Sequence, residues 1–257
     1  MTRLIRVELL KLRTMRLTWG LLAAAAGIAA VFAVLNATRD KEAALNTASG
    51  LNTQVLVGVW ALLLSLIFGV IVSSSEFRHS TATLTYLATP RRNRVLVAKT
   101  FAAACGGAAF GLAGGVIATG IGLIFVAARG YHLALGAGTL TRYVVGYIVA
   151  AALLAAIGCA VGSLIRSQIA AIIGVFVWAM IIESLLGGLF HAVRAYLPYA
   201  AATTLAGARV GYSMFQSGTG ASAGHALPFA AAAALLVGLA VVFCAVAART
   251  TVARDVS

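Results

Sequence analysis

The chain alternates between long apolar runs and short polar, mostly basic breaks, and that alternation predicts its architecture. Six apolar runs occur, at about Leu17–Leu35, Gln54–Val72, Thr100–Ala127, Tyr143–Ile165, Gln168–Phe190 and Pro228–Ala247. Each is near the roughly 20 residues that an α-helix needs to cross a bilayer. Only Arg166 and Ser167 separate the fourth run from the fifth, yet the two together are far too long for one crossing, so a tight turn is placed there. Pro228 suits the first turn of the last helix. Ahead of the first run lies MTRLIRVELLKLRTMR. On a helical wheel Leu4, Ile5, Leu12 and Met15 share one side, and Arg3, Arg6, Arg13 and Arg16 spread over the other, with Leu9 and Leu10 among them. Residues 1–16 therefore predict an interfacial helix lying on the membrane surface. Glu8 falls on its apolar side, where a lone carboxylate is costly. Either it frays to water or it takes a cationic partner, for which Arg91, Arg92 and Arg94 are the candidates.

The longest polar break between spans is Glu76–Lys99, EFRHSTATLTYLATPRRNRVLVAK. Its first half has helical spacing, with Phe77, Thr81, Leu84 and Ala88 on one face. Ser73, Ser74 and Ser75 offer oxygens for an N-cap just before it. Pro90 lacks a backbone donor and disfavours the helical region at Thr89, so the helix should stop there. Arg91, Arg92 and Arg94 follow at once. Residues 76–89 thus predict a short capped helix between the second and third spans. Two readings of the stretch stand: a solvated positive loop, or a contact with a soluble partner or anionic headgroups. A second long break, 191–227, is half apolar, and Pro198 and the Gly207/Gly211 region cut it into pieces too short to span. It predicts one or two short helices dipping in from the outer surface, with Tyr196, Tyr199 and Tyr212 at the interface.

Composition and charge then fix the class. Apolar residues make up 62% of the 257 and charged residues only 10%, against about a quarter charged in soluble domains. This is an all-α integral membrane protein. The net charge of +13 points away from nucleic acid, because the basic residues cluster at the ends of apolar runs and no nucleic-acid motif accompanies them. Segments 1–16, 73–99, Arg166 and 248–257 hold thirteen Lys/Arg, and the opposite loops, 36–53, 128–142 and 191–227, hold six. The positive-inside rule therefore places both termini in the cytoplasm. The amino-terminal segment does not read as a cleavable signal. Cys105, Cys159 and Cys244 each sit alone in a different run and read as packing residues.

Candidate chemistry is sparse. Gly107, Gly111 and Gly115 form one small-residue stripe, and Gly158 and Gly162 a second, which predicts close helix packing. The sequence holds no HExxH, no GxSxG and no GxxxxGK[ST], and its four histidines lie in loops or at span ends. It therefore shows no catalytic site, no metal site and no loop for ATP phosphates. Glu183 is the one acid within a span, and such a carboxylate is a functional candidate by default. It lies towards the outer half of the fifth span. Arg166 is too far along the helix to pair with it, whereas His191 lies on the same face two turns on. Glu183 thus faces the pathway or a subunit interface, makes a structural hydrogen bond to a neighbouring helix, or snorkels to the surface.

Three pieces of the chain resemble the ABC-2 type membrane subunit of bacterial ATP-binding cassette transporters. Glu8-Leu9-Leu10-Lys11-Leu12-Arg13 is similar to the family's interfacial elbow before the first span. Glu76-Phe77-Arg78, then Thr81, Leu84, Leu87, Pro90, Arg94 and Lys99, resemble its E-x-R-x-x-T-x-x-x-L…P…R…K loop, which carries the coupling helix. His79-Ser80 departs from it, since many members have glycine there. Leu197-Pro198 resembles the outer re-entrant hairpin before the sixth span. The resemblance implies a bacterial plasma-membrane permease of six spans, dimeric with a like or unlike second permease subunit. A separate ATPase subunit, on which ATP and magnesium act, would dock on the cytoplasmic loops and drive export of a drug, antibiotic, peptide or lipid. Its contacts would fall on Glu76, Phe77, Arg78, Leu84, Leu87, Arg91 and Arg94, with Phe77, Leu84 and Leu87 as the apolar knobs. Two rival classes stand: an ATPase-independent channel or scaffold, which would have no need of a capped helix between spans two and three, and an intramembrane enzyme, which the missing catalytic residues argue against.

Overall fold

The computed structural model describes residues 2–39, 59–78, 92–130, 136–165, 167–190, 192–207 and 227–250. Within them the chain forms α1 (Thr2–Thr14), α2 (Arg16–Arg39), α3 (Val59–Arg78), α4 (Arg92–Ala128), α5 (Ala137–Leu164) and α6 (Gln168–Val177). A π turn (Trp178–Ile182) runs straight on into α7 (Glu183–Leu189). A 3₁₀ turn (Arg194–Tyr196), α8 (Pro198–Leu205) and α9 (Phe229–Thr250) complete the order. Five of these helical stretches are long and apolar enough to cross a membrane: α2, α4, α5, the continuous α6–π–α7 helix and α9. α3 contributes a shorter apolar segment, Val59–Ser75. Side chains such as Ile124, Ile169 and Val241 point away from the bundle, the surface that hydrocarbon requires.

Helix α5 is the centre. It packs on α3, α4, α8 and α9, and its residues Tyr147, Ala150, Ala151, Ala155 and Cys159 have almost no exposed surface. Glycine makes this possible. On α4, Gly107 meets Ala155 and the Ala151 carbonyl, Gly111 meets the Tyr147 carbonyl, and Gly115 meets the Tyr147 ring. On the other side of α5, Gly158 and Gly162 meet the carbonyls of Leu66 and Val70 of α3. A β-carbon at Gly111 or Gly158 would overlap main-chain atoms, which cannot retreat as a side chain can. Both glycine stripes are therefore the packing lines of the bundle. The paired residue numbers rise together along α3 and α5 and oppositely along α4 and α5, so α3 runs parallel to α5 and α4 antiparallel to it. Ser65 Oγ donates to the Ala151 carbonyl at 2.7 Å, fixing the depth of α3 against α5. Phe68 and Phe110 pack with centroids 5.0 Å apart between α3 and α4.

Several local expectations change. Ser73, Ser74 and Ser75 do not cap a new helix, because α3 continues through them to Arg78. The hydroxyls of Ser74 and Ser75 instead donate to the carbonyls of Val70 and Val72 in the preceding turn, at 2.8 and 3.4 Å. α4 has 37 residues, about 55 Å at 1.5 Å per residue, which exceeds the ~30 Å hydrocarbon core. It begins at Arg92, well ahead of the apolar run at Thr100. The break at Ser167 is where the turn is expected: Ile165 is extended, and Ser167 Oγ accepts from Ala170 N at 3.4 Å. Pro228 stands just before α9, its carbonyl accepting from Ala232 N. Tyr196 is exposed, but Tyr199 is turned inward and buried. Tyr212 and Gly211 lie outside the described residues.

Candidate functional site

Two buried carboxylates mark the two ends of the bundle. The first is at the near end, beside the start of the chain. α1 turns Arg3, Arg6 and Arg13 outward and half-buries Leu4, Ile5 and Met15, as its spacing requires. It packs along α4 and sends Leu12 into a cluster with Phe68 and Phe110. Glu8 lies on the same side and is only 6% exposed. Its Oε1 takes a hydrogen bond from Lys11 Nζ at 2.8 Å, one helical turn on, and Lys99 Nζ of α4 stands 3.7 Å from its Oε2. Glu8 is therefore neither frayed nor solvated. Its cations among the described residues are Lys11 and Lys99; of the expected partners Arg94 is not one, and Arg91 and the Arg92 side chain lie outside the described residues. Geometry gives the reason for Arg94: five positions separate it from Lys99, about 140° around an α-helix, so Lys99 faces inward while Arg94 is exposed. Lys99 is a cation inside VLVAKTFAAA, and its apolar setting is the sequence signal that marks it for pairing.

The next residue extends the junction. Thr100 Oγ1 lies 3.6 Å from Cys244 Sγ and 3.9 Å from Cys159 Sγ, and donates to the Leu96 carbonyl at 2.9 Å. Cysteines that stand alone in sequence are thus gathered at one hydroxyl, and α1, α4, α5 and α9 all meet here. The segment 79–91 that joins α3 to α4 lies outside the described residues. With it go Leu84, Leu87, Arg91 and most of the expected 76–89 helix. Glu76, Phe77 and Arg78 form the last turn of α3, described as backbone only. The helices on either side of it, α3 and α4, pack together at Phe68 and Phe110.

The second carboxylate, Glu183, lies at the far end and is also 6% exposed. The structure surrounds it with N–H donors. Trp178 Nε1 donates to Oε1 at 3.0 Å, Tyr199 N donates to Oε1 and Oε2 at 2.9 and 3.0 Å, and Ala200 N donates to Oε2 at 3.1 Å. Tyr199 and Ala200 supply the first N–H groups of α8, because Pro198 before them has none. Glu183 therefore caps a helix that lies beyond its own in sequence. His191, the neighbour expected from helical spacing, lies outside the described residues. The π turn, which no local motif announces, sets the direction of Glu183.

A family model described as ABC-2 family transporter protein matches residues 4–182. That span runs from α1 to the end of the π turn and stops just before Glu183. Among curated proteins none matches the chain. The matched region covers well over half the chain, including the α1–α4 junction, the α3–α4 connection and the central helix α5. The chain is a multi-pass membrane protein and belongs to the ABC-2 transporter family.

Proposed function

We propose that the chain is the membrane permease subunit of an ATP-binding cassette exporter, itself non-catalytic and driven by a separate ATPase chain. Family membership carries this reading. In it, two permease subunits form the pathway, each with six spans and cytoplasmic termini, in the bacterial plasma membrane. The parallel course of α3 and α5, with α4 running against them, supports such alternation. ATP and magnesium act on the partner. The cargo class is a drug, antibiotic, peptide or lipid.

The partner docks on residues 76–89. Phe77, Leu84 and Leu87 enter its groove, Arg78 stands at the rim beside Glu76, and Arg91 and Arg94 add charge. Support comes from the frame on either side: α3 and α4 are unbroken helices, and Lys99 links α4 to Glu8 of the elbow helix α1. The test is copurification from membranes. Leu84→Asp removes an apolar anchor of the kind that costs about 1–3 kcal/mol. The variant should insert and keep its fold, yet lose tenfold or more of the bound ATPase. Arg91→Ala should lose less, since a rim charge acts mainly on association rate. Normal ATPase association by Leu84→Asp would overturn the docking assignment.

A further inference from the structure

Helix α8 has eight residues, too few to hold a helix by itself. Its start shows what holds it. Leu197, the N-cap residue, has extended backbone but no side-chain oxygen to offer. Pro198 has no N–H, and Ala201 N already donates to the Leu197 carbonyl at 2.8 Å. The two donors left, Tyr199 N and Ala200 N, are the two that Glu183 takes. A carboxylate at this place also meets the positive end of the helix dipole.

The two partners differ in how firmly they are held. α8 is seated in the bundle: Tyr199 Oη donates to the Val59 carbonyl at 3.0 Å, and the Leu205 carbonyl rests on Gly146 of α5. α7 is not. Its Leu185 and Leu189, and Phe190 after it, are exposed, and its principal packing is with the π turn and the 3₁₀ turn beside it. Trp178 adds a brace from the other side of the π turn, where Glu183 N donates to its carbonyl and its indole N–H donates to the carboxylate. A π turn inserts one residue, which rotates everything after it by about 100°. That rotation aims Glu183 at α8.

We infer that Glu183 is a positioning residue that fastens α8 to α7, so that the far half of the α6–π–α7 helix and this short helix move as one body. Glu183 and α8 lie beyond the family match, and the inference stands apart from the docking assignment.

The test uses thiol protection in the full chain held in lipid nanodiscs, with Cys105, Cys159 and Cys244 replaced by alanine. One reporter is Thr203→Cys, at a fully buried position of α8. The control reporter is Ser65→Cys, fully buried between α3 and α5. Glu183→Gln should raise the maleimide labelling rate at 203 at least tenfold and leave the rate at 65 unchanged. Glu183→Asp, which keeps the carboxylate on a shorter stem, should fall between. Leu197→Asn supplies a local cap without any tie to α7. Added to Glu183→Gln it should leave 203 fast, and alone, with Glu183 present, it should leave 203 protected. The inference is overturned if Glu183→Gln leaves 203 protected, if 65 is exposed equally, or if the local cap restores protection. Fast labelling at 203 in the Leu197→Asn single variant also counts against it.

Discussion

Glu8 and Glu183 are the same residue, equally buried, at opposite ends of one bundle, and they are satisfied by opposite means. Glu8 is answered by charge, from Lys11 on its own helix and Lys99 across a helix contact. Glu183 is answered by N–H groups of an indole and a helix terminus. An ammonium on a flexible stem can follow a moving carboxylate. Main-chain N–H groups cannot, because each is fixed in its helix. The near end is therefore joined by a contact that tolerates sliding, and the far end by one that demands register.

The comparison breaks most clearly at Lys99. Lys99→Met leaves Glu8 buried beside the single, half-exposed Lys11 and should cost about 3–5 kcal/mol, seen as a lowered unfolding midpoint in detergent. Joining it to Glu8→Leu removes both buried charges and should bring stability back to within about 1–2 kcal/mol of the native chain. A double variant as unstable as Lys99→Met alone would show that Lys99 matters for some contact other than Glu8. The far end should respond less. Glu183→Gln sets an amide N–H₂ against N–H donors and should cost about 1–3 kcal/mol in the same assay. Trp178→Phe, which removes one donor and leaves the α8 cap, should cost about 0.5–1.5 kcal/mol. If Trp178→Phe proves the more damaging, the indole and not the helix terminus is the principal partner. Lys11→Ala should change least, by no more than about 1 kcal/mol, since its side chain is 43% exposed and Lys99 remains.

Much of this was legible in the residues themselves. The apolar runs foretold the helices because length and hydropathy alone decide which segments can cross a bilayer. The glycine stripes foretold the contact lines because only a missing β-carbon lets Gly111 reach the Tyr147 carbonyl. The wheel of α1 placed Glu8 inward, and the structure agrees. What failed shares one cause. A serine hydroxyl can cap a new helix or bond back along an old one, and at Ser74 the packing of α3 on α5 decides between them. Lys99 and Glu8 lie ninety-one positions apart, so their pairing depends on α1 folding back onto α4. The direction of Glu183 rests on a π turn, which has no local signature in WAMII. Leu84, Leu87 and Arg91, which the family resemblance proposes as docking residues, lie outside the described residues.

The central place of α5 also sets an order of events during synthesis. α3 and α4 leave the ribosome first, with Gly111 and Gly115 in the chain before the residues of α5 that they pack against. Their narrow faces fit α5, whose alanines and backbone carbonyls appear only as residues 137–164 emerge. A nascent chain arrested near Arg129 would expose its glycine stripe to any passing membrane helix. Quality control in the bilayer should therefore recognise fragments that stop short of α5 and pass those that include it.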